Sequence, residues 1–115
     1  MSTILIVDDE QSMRDVLAIM LRKEGYNVVT AEDGLEAVKA IEEDIFDLII
    51  TDIKMPGING LEVLRRVKEV SPDTLVIVIT AFSSTEDAVS AMKQGALDYI
   101  TKPFKNENIK LVVTN

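Results

Sequence analysis

Apolar and polar positions along this chain alternate between two patterns. Ile4-Leu5-Ile6-Val7, Leu48-Ile49-Ile50 and Leu75-Val76-Ile77-Val78-Ile79 are continuous apolar runs. Short runs of this kind read as strands buried on both faces, as in a parallel sheet covered by helices on each side. Tyr26 to Thr30 and Tyr99 to Thr101 are two further short strands. Between the strands the apolar residues fall at helical spacing. From about Gln11 to Glu24 they are Met13, Val16, Leu17, Met20 and Leu21, and Gly25 stops that helix as a left-handed cap does. Asp33-Gly34-Leu35-Glu36 resembles a capping box with Asp33 as the cap, and Leu35, Val38 and Ile41 are expected to line one face of the second helix. Asn59 is the expected cap of a third helix with inward face Leu61, Leu64 and Val67, broken by Ser71-Pro72-Asp73. Ser83-Ser84-Thr85-Glu86 opens a fourth helix that Gly95 closes, and a last helix starts near Lys105. Each strand–helix unit takes about 20–30 residues, the length a right-handed crossover needs. The fold expected is a doubly wound α/β domain with a five-stranded parallel sheet, occupying residues 1–115 as one unit.

Composition narrows the chemistry. The chain has 115 residues, enough for one domain with a core that needs no covalent staples. It contains neither cysteine nor histidine, so disulfides and the usual zinc ligands are excluded and only oxygen-ligated hard cations remain as metal partners. A net charge of −8 argues against nucleic acid or an anionic membrane as a direct partner of this segment. The first strand follows the N-terminus at once, without a basic flank or a long apolar stretch, so a cytoplasmic location is expected. No linker, repeat or low-complexity segment is visible. Only about ten residues remain for the last helix before Asn115, as in a fragment of a longer protein.

The polar residues then acquire a pattern. Asp8, Asp9, Asp52, Thr80 and Lys102 all fall at or just past the C-terminal ends of predicted strands. In open α/β sheets that edge holds the ligand, at the point where the strand order reverses. With the order 2-1-3-4-5 the crevice lies between strands one and three, where Asp8, Asp9 and Asp52 converge. Three carboxylates so placed repel by about 4 kcal/mol per pair at 4 Å and an effective dielectric near 20, a cost that a hard cation such as magnesium removes. Singly, each residue has a plainer reading: Asp8 or Asp9 as the cap of the first helix, Thr80 as a strand-end threonine, Lys102 as a surface lysine, Met55-Pro56-Gly57 as a turn. Their shared placement at one sheet edge favours a site.

These residues resemble the receiver domains of two-component response regulators. The resemblance is carried by Val7-Asp8-Asp9-Glu10, Thr51-Asp52-Ile53-Lys54-Met55-Pro56-Gly57, Thr80-Ala81, Tyr99 and Lys102-Pro103-Phe104, and it covers essentially the whole chain. It implies a flavodoxin-like fold in which Asp52 accepts a phosphoryl group from a sensor histidine kinase. It further implies magnesium held by Asp9 and Asp52, by the backbone carbonyl of Lys54 and, through water, by Asp8. Thr80 would hydrogen-bond the phosphoryl oxygens and Lys102 pair with them, with a cis bond before Pro103. Tyr99 would follow Thr80 as the output switch, altering the face of helix four, strand five and helix five, through which such receivers commonly form homodimers. Ala81 would leave the phosphoryl group reachable, and Lys54 and Phe82 occupy positions that tune its loss. By the same resemblance the chain is a phosphoacceptor and not an enzyme in its own right, beyond assisting its own phosphotransfer and dephosphorylation. The segment Ala88–Tyr99 is similar to receivers of sigma-54-dependent enhancer-binding activators, which implies transcriptional output through another domain.

Two other classes fit less well. A haloacid-dehalogenase-type phosphatase places an Asp-x-Asp motif after its first strand, and Asp8-Asp9-Glu10 lacks that spacing. A flavin or dinucleotide module needs a Gly- or hydroxyl-rich phosphate loop there, where this chain has an acidic pair. A degenerate receiver that only binds partners is a third reading, against which stands the full set of site residues.

Overall fold

The apolar runs form a single parallel sheet: β1 (Thr3–Val7), β2 (Asn27–Ala31), β3 (Leu48–Asp52), β4 (Leu75–Thr80) and β5 (Asp98–Thr101). The intervening helices are α1 (Gln11–Lys23), α2 (Gly34–Glu43), α3 (Gly60–Val70), α4 (Thr85–Lys93) and α5 (Asn106–Thr114). The computed structural model describes residues 2–80, 85–102 and 105–114. The expected opening of the fourth helix at Ser83-Ser84, the roles of Ala81 and Phe82, and the cis bond before Pro103 lie outside the described residues.

The strand order is β2-β1-β3-β4-β5 and every neighbour is parallel. Alternation along the strands sends side chains to two separate cores. Leu5, Val7, Ile49, Val76 and Val78 pack with Ala37, Ile41, Val63, Leu64, Val67 and Ala91 from α2, α3 and α4. Ile4, Ile6, Leu48, Ile50, Ile77 and Ile79 pack with Leu17, Ala18, Leu21 and Ile109 from α1 and α5. β1, β3 and β4 are covered on both faces, which is why their sequences are apolar throughout. Each fully buried aliphatic side chain contributes about 1.5–3 kcal/mol by leaving water.

Helix ends form as the sequence predicts. Asp33 accepts from the Glu36 amide at 2.8 Å and Asn59 from the Glu62 amide at 3.0 Å, each satisfying a first-turn donor. Gly25 and Gly95 adopt left-handed backbone (φ 96° and 98°) where α1 and α4 end. The inward faces differ in detail. Val16 and Leu35 are exposed, whereas Ala18 and Ala37 are buried. The buried stripes run along Leu17, Ala18 and Leu21 on α1 and along Ala37 and Ile41 on α2, which leaves Val16 and Leu35 outside them. On α3 the buried residues are Val63, Leu64 and Val67, while Leu61 is half-buried at the rim. Apolar spacing alone defines a stripe, and contact with the sheet selects its centre.

Candidate functional site

The strand order puts the C-terminal ends of β1 and β3 side by side, with Val7 paired to Thr51. Asp8 follows β1 and is buried; Asp52 ends β3 and is 6% exposed. The Asp8 carboxylate does not cap α1. The N-cap residue is Glu10, whose side chain makes no capping bond. Instead Asp8 Oδ1 accepts from the Glu10 amide at 2.9 Å, turning the chain sharply after β1. Asp8 Oδ2 is thereby aimed at the crevice, where it accepts from Lys102 Nζ at 2.9 Å. The same ammonium donates to Asp52 Oδ2 at 3.1 Å. Asp52 Oδ1 accepts from the Lys54 amide at 3.3 Å, so the Asp52 carboxylate is held from two directions.

Lys102 reaches this position because β5 lies beside β4. Its amide donates to the Thr80 carbonyl at 2.8 Å, extending the ladder past the Thr80–Thr101 pair. Thr80 itself is fully buried at the end of β4. Tyr99 pairs in register with Val78 on the same sheet face and packs, half-buried, against the core beneath α2, α3 and α4. By strand alternation Thr80 lies on that face as well, diagonal to Tyr99.

Burial is the largest influence on Asp52 and raises its pKa above the ordinary 3.8; hydrogen bonding and attraction from Lys102 oppose it, while Asp8 adds repulsion. Burial also opposes the Lys102 ammonium, but Asp8 and Asp52 together outweigh it and lift its pKa above 10.5. The lysine is charged throughout the physiological range.

Asp8, Asp9 and Asp52 each present a carboxylate oxygen, all within 4.8 Å of one another. These three acids against one ammonium leave two negative charges, with Asp9 exposed to solvent and open to an incoming ion. An all-oxygen donor set with that charge fits a hard divalent cation such as magnesium. A second acidic cluster, Glu32, Asp33 and Glu36, is spent on the α2 cap.

One neighbour escaped the sequence reading: Arg14, whose Nη1 donates to the Asp8 carbonyl at 2.6 Å. Glu10, read only as part of the acidic motif, stands 3.8 Å from Lys102 Nζ, and the Lys54 ammonium lies 3.9 Å from Asp87 on α4. The one available signal was that Arg14 sits one turn after Glu10, next to the acidic pair. Among the described residues no helix is long and apolar enough to cross a membrane.

Residues 4–114 match the family model of the response regulator receiver domain. The chain is 40% identical over 111 residues to the transcriptional regulatory protein ZraR of Klebsiella oxytoca, which covers 96% of this chain and 25% of that protein. It thus spans about a quarter of that relative's length. A CheY-like receiver domain protein from Methanospirillum hungatei superposes with a TM-score of 0.96 at 32% identity, covering 99% of this chain and 91% of that one. The response regulator TrrA of Thermotoga maritima, solved in complex with magnesium and beryllofluoride, superposes at 0.89 with 39% identity, covering 99% and 97%.

Proposed function

This chain belongs to the response regulator receiver family of two-component signalling, and from that premise we propose that Asp52 is its phosphoacceptor, charged by a partner histidine kinase with magnesium in the Asp8–Asp9–Asp52 crevice. The observation that carries this reading is the convergence of Lys102 on Asp8 and Asp52, at 2.9 and 3.1 Å, beside the three-carboxylate cluster.

In the transfer, an Asp52 oxygen forms the new bond to phosphorus as the P–N bond of the phosphohistidine breaks, and the electron pair leaves with the imidazole. A carboxylate needs no general base to act as nucleophile, so positioning and charge neutralisation supply most of the acceleration. Asp9, Asp52 and the Lys54 carbonyl are the proposed direct ligands of magnesium, with Asp8 acting through water. Magnesium, when bound, draws charge from the phosphoryl oxygens and screens the clustered acids. Lys102 leaves the Asp52 carboxylate to pair with a phosphoryl oxygen, and the Thr80 hydroxyl donates to another. Movement of Thr80 opens space on the face it shares with Tyr99, and Tyr99 turning inward alters the face formed by α4, β5 and α5. Phosphorylation shifts that equilibrium only by its differential affinity for the two arrangements. The same residues assist loss of the phosphoryl group to water. We further propose that this cytoplasmic receiver controls transcription through an output domain, as in the enhancer-binding activators, and that the switched face serves a homodimer.

Intact mass after incubation with magnesium and acetyl phosphate tests the acceptor. The expected result is one added phosphoryl group on the wild type, dependent on magnesium and absent from Asp52→Asn. Addition to Asp52→Asn would move the acceptor elsewhere. No adduct and no magnesium-dependent response to beryllofluoride would refute phosphoryl signalling.

A further inference from the structure

Gly60, the first residue of α3, lies against the backbone of the acceptor strand. A Cβ built there would overlap the Asp52 carbonyl oxygen and stand 2.8 Å from both the Asp52 carbonyl carbon and Ile53 Cα. All these neighbours are backbone, so no side chain can swing aside. Gly60 has no left-handed φ, so its requirement here is space, unlike that of Gly25 or Gly95. Two hydrogen bonds hold the same peptides. The buried Thr51 hydroxyl donates to the Asp52 carbonyl at 3.0 Å, and the Gly60 amide donates to the Ile53 carbonyl at 2.9 Å. The next residue is Lys54, whose amide aims Asp52 Oδ1. Across the loop, a Cβ on Gly34 would overlap the Ile58 carbonyl oxygen and stand 2.7 Å from Ile58 Cβ, so α2 presses on the far end of the same segment.

We propose that Gly60, with Thr51, is a positioning residue of the phosphotransfer site: it seats the Asp52–Lys54 backbone against the N-terminus of α3 and so sets the spacing of the carboxylate and the Lys54 carbonyl around the cation. This rests on the magnesium reading above. An alanine forces the two backbones apart until the overlap is relieved. Magnesium demands near-ideal octahedral geometry at short distances, whereas calcium accepts longer and less regular ones. The displacement therefore penalises magnesium more than calcium, and it penalises in-line transfer, which is sensitive to errors of the order of 1 Å. A role confined to general stability lowers both affinities alike or neither.

The test is calorimetric titration of Gly60→Ala with magnesium and with calcium, alongside the amide chemical shifts of residues 52–54 in metal-free protein. Gly25→Ala is the control, because its left-handed φ and open surroundings give strain at the opposite end of the sheet without crowding. The expected result is a loss of about tenfold or more in magnesium affinity, a loss of less than about threefold for calcium, and shifted amides at residues 52–54. Gly25→Ala should leave both affinities unchanged. Thr51→Val removes only the hydroxyl hold and is expected to lower magnesium affinity about twofold to fivefold while keeping the fold. It decides the question if Gly60→Ala does not fold. Unchanged magnesium affinity in folded Gly60→Ala, or in Thr51→Val when that variant decides, would overturn the proposal, as would equal losses for both cations. A wild type that binds no magnesium would instead refute the underlying reading, which keeps the two failures distinct.

Discussion

Both ends of the sheet hold a lysine, and the two lysines have opposite company. At the N-terminal end, Lys68 Nζ donates to the Thr74 and Pro72 carbonyls at 2.9 and 3.3 Å. Beside it, the buried Thr74 hydroxyl donates to the Phe46 carbonyl at 2.6 Å and accepts from Ser71 Oγ at 2.8 Å. The Thr3 amide donates to Asp47 Oδ2 at 2.8 Å. Polar groups at that end are matched to backbone groups, and the result is a closed structural joint. At the C-terminal end Lys102 stands between two buried carboxylates, a third acid brings an oxygen within 4.8 Å of theirs, and negative charge is left over. Burial does not separate the two ends, since Thr74, Asp8 and Asp52 are all buried. Unbalanced charge does: Lys68 is matched to neutral carbonyls, whereas at the other end three acids surround one ammonium.

That contrast can be broken by substitution. The largest effect is expected for Lys102→Met, which leaves Asp8 and Asp52 facing one another. Phosphoryl uptake, followed by mass, should slow by about 10²-fold or more. Stability in magnesium-free buffer at pH 7, measured by urea unfolding, should fall by about 3 kcal/mol. Next comes Thr74→Val, which strands the Phe46 carbonyl and should cost about 1–2 kcal/mol while leaving magnesium affinity at its wild-type value. A change in magnesium affinity as large as that of Lys102→Met would erase the distinction between the ends.

The smallest effect sharpens the comparison through pH. Asp52 holds its proton in the folded chain above pH 3.8, where the unfolded chain has begun to release it. The folded state then binds more protons, so this group's contribution to stability falls as pH rises from about 4 through the folded-state pKa. Asp52→Asn lacks that loss. Unfolding of both proteins in a chelator between pH 3.5 and 7 should show the variant gaining on the wild type as pH rises. Magnesium should reverse the trend for the wild type alone. A gap that narrows with rising pH would mean that Lys102 more than offsets the burial of Asp52.

What could be read along the chain was whatever depends on near neighbours. Asp33 and Asn59 cap helices because their side chains reach amides three residues on, and Gly25 and Gly95 end helices because each takes a left-handed φ that costs glycine little. The strand ends, and with them the placement of Asp8, Asp52, Thr80 and Lys102 at one edge, followed from where the apolar runs stop. The helix faces were legible only as stripes: Val16 and Leu35 fitted the periodicity yet turned outward, because the sheet contacts run along Leu17, Ala18 and Leu21 and along Ala37 and Ile41. The tertiary structure alone decided which polar groups met. Asp8 and Lys102 are 94 positions apart, and no local rule joins them. Glu10 came near Lys102 for the same reason, whereas Arg14 reaches the Asp8 carbonyl from only six positions along, and the need for glycine at position 60 came from the Asp52 backbone lying against it. Propensity, capping and periodicity act within a few residues and survive in any fold that uses the segment. Charge pairing and steric exclusion act between surfaces, and they exist only once the sheet has set those surfaces side by side.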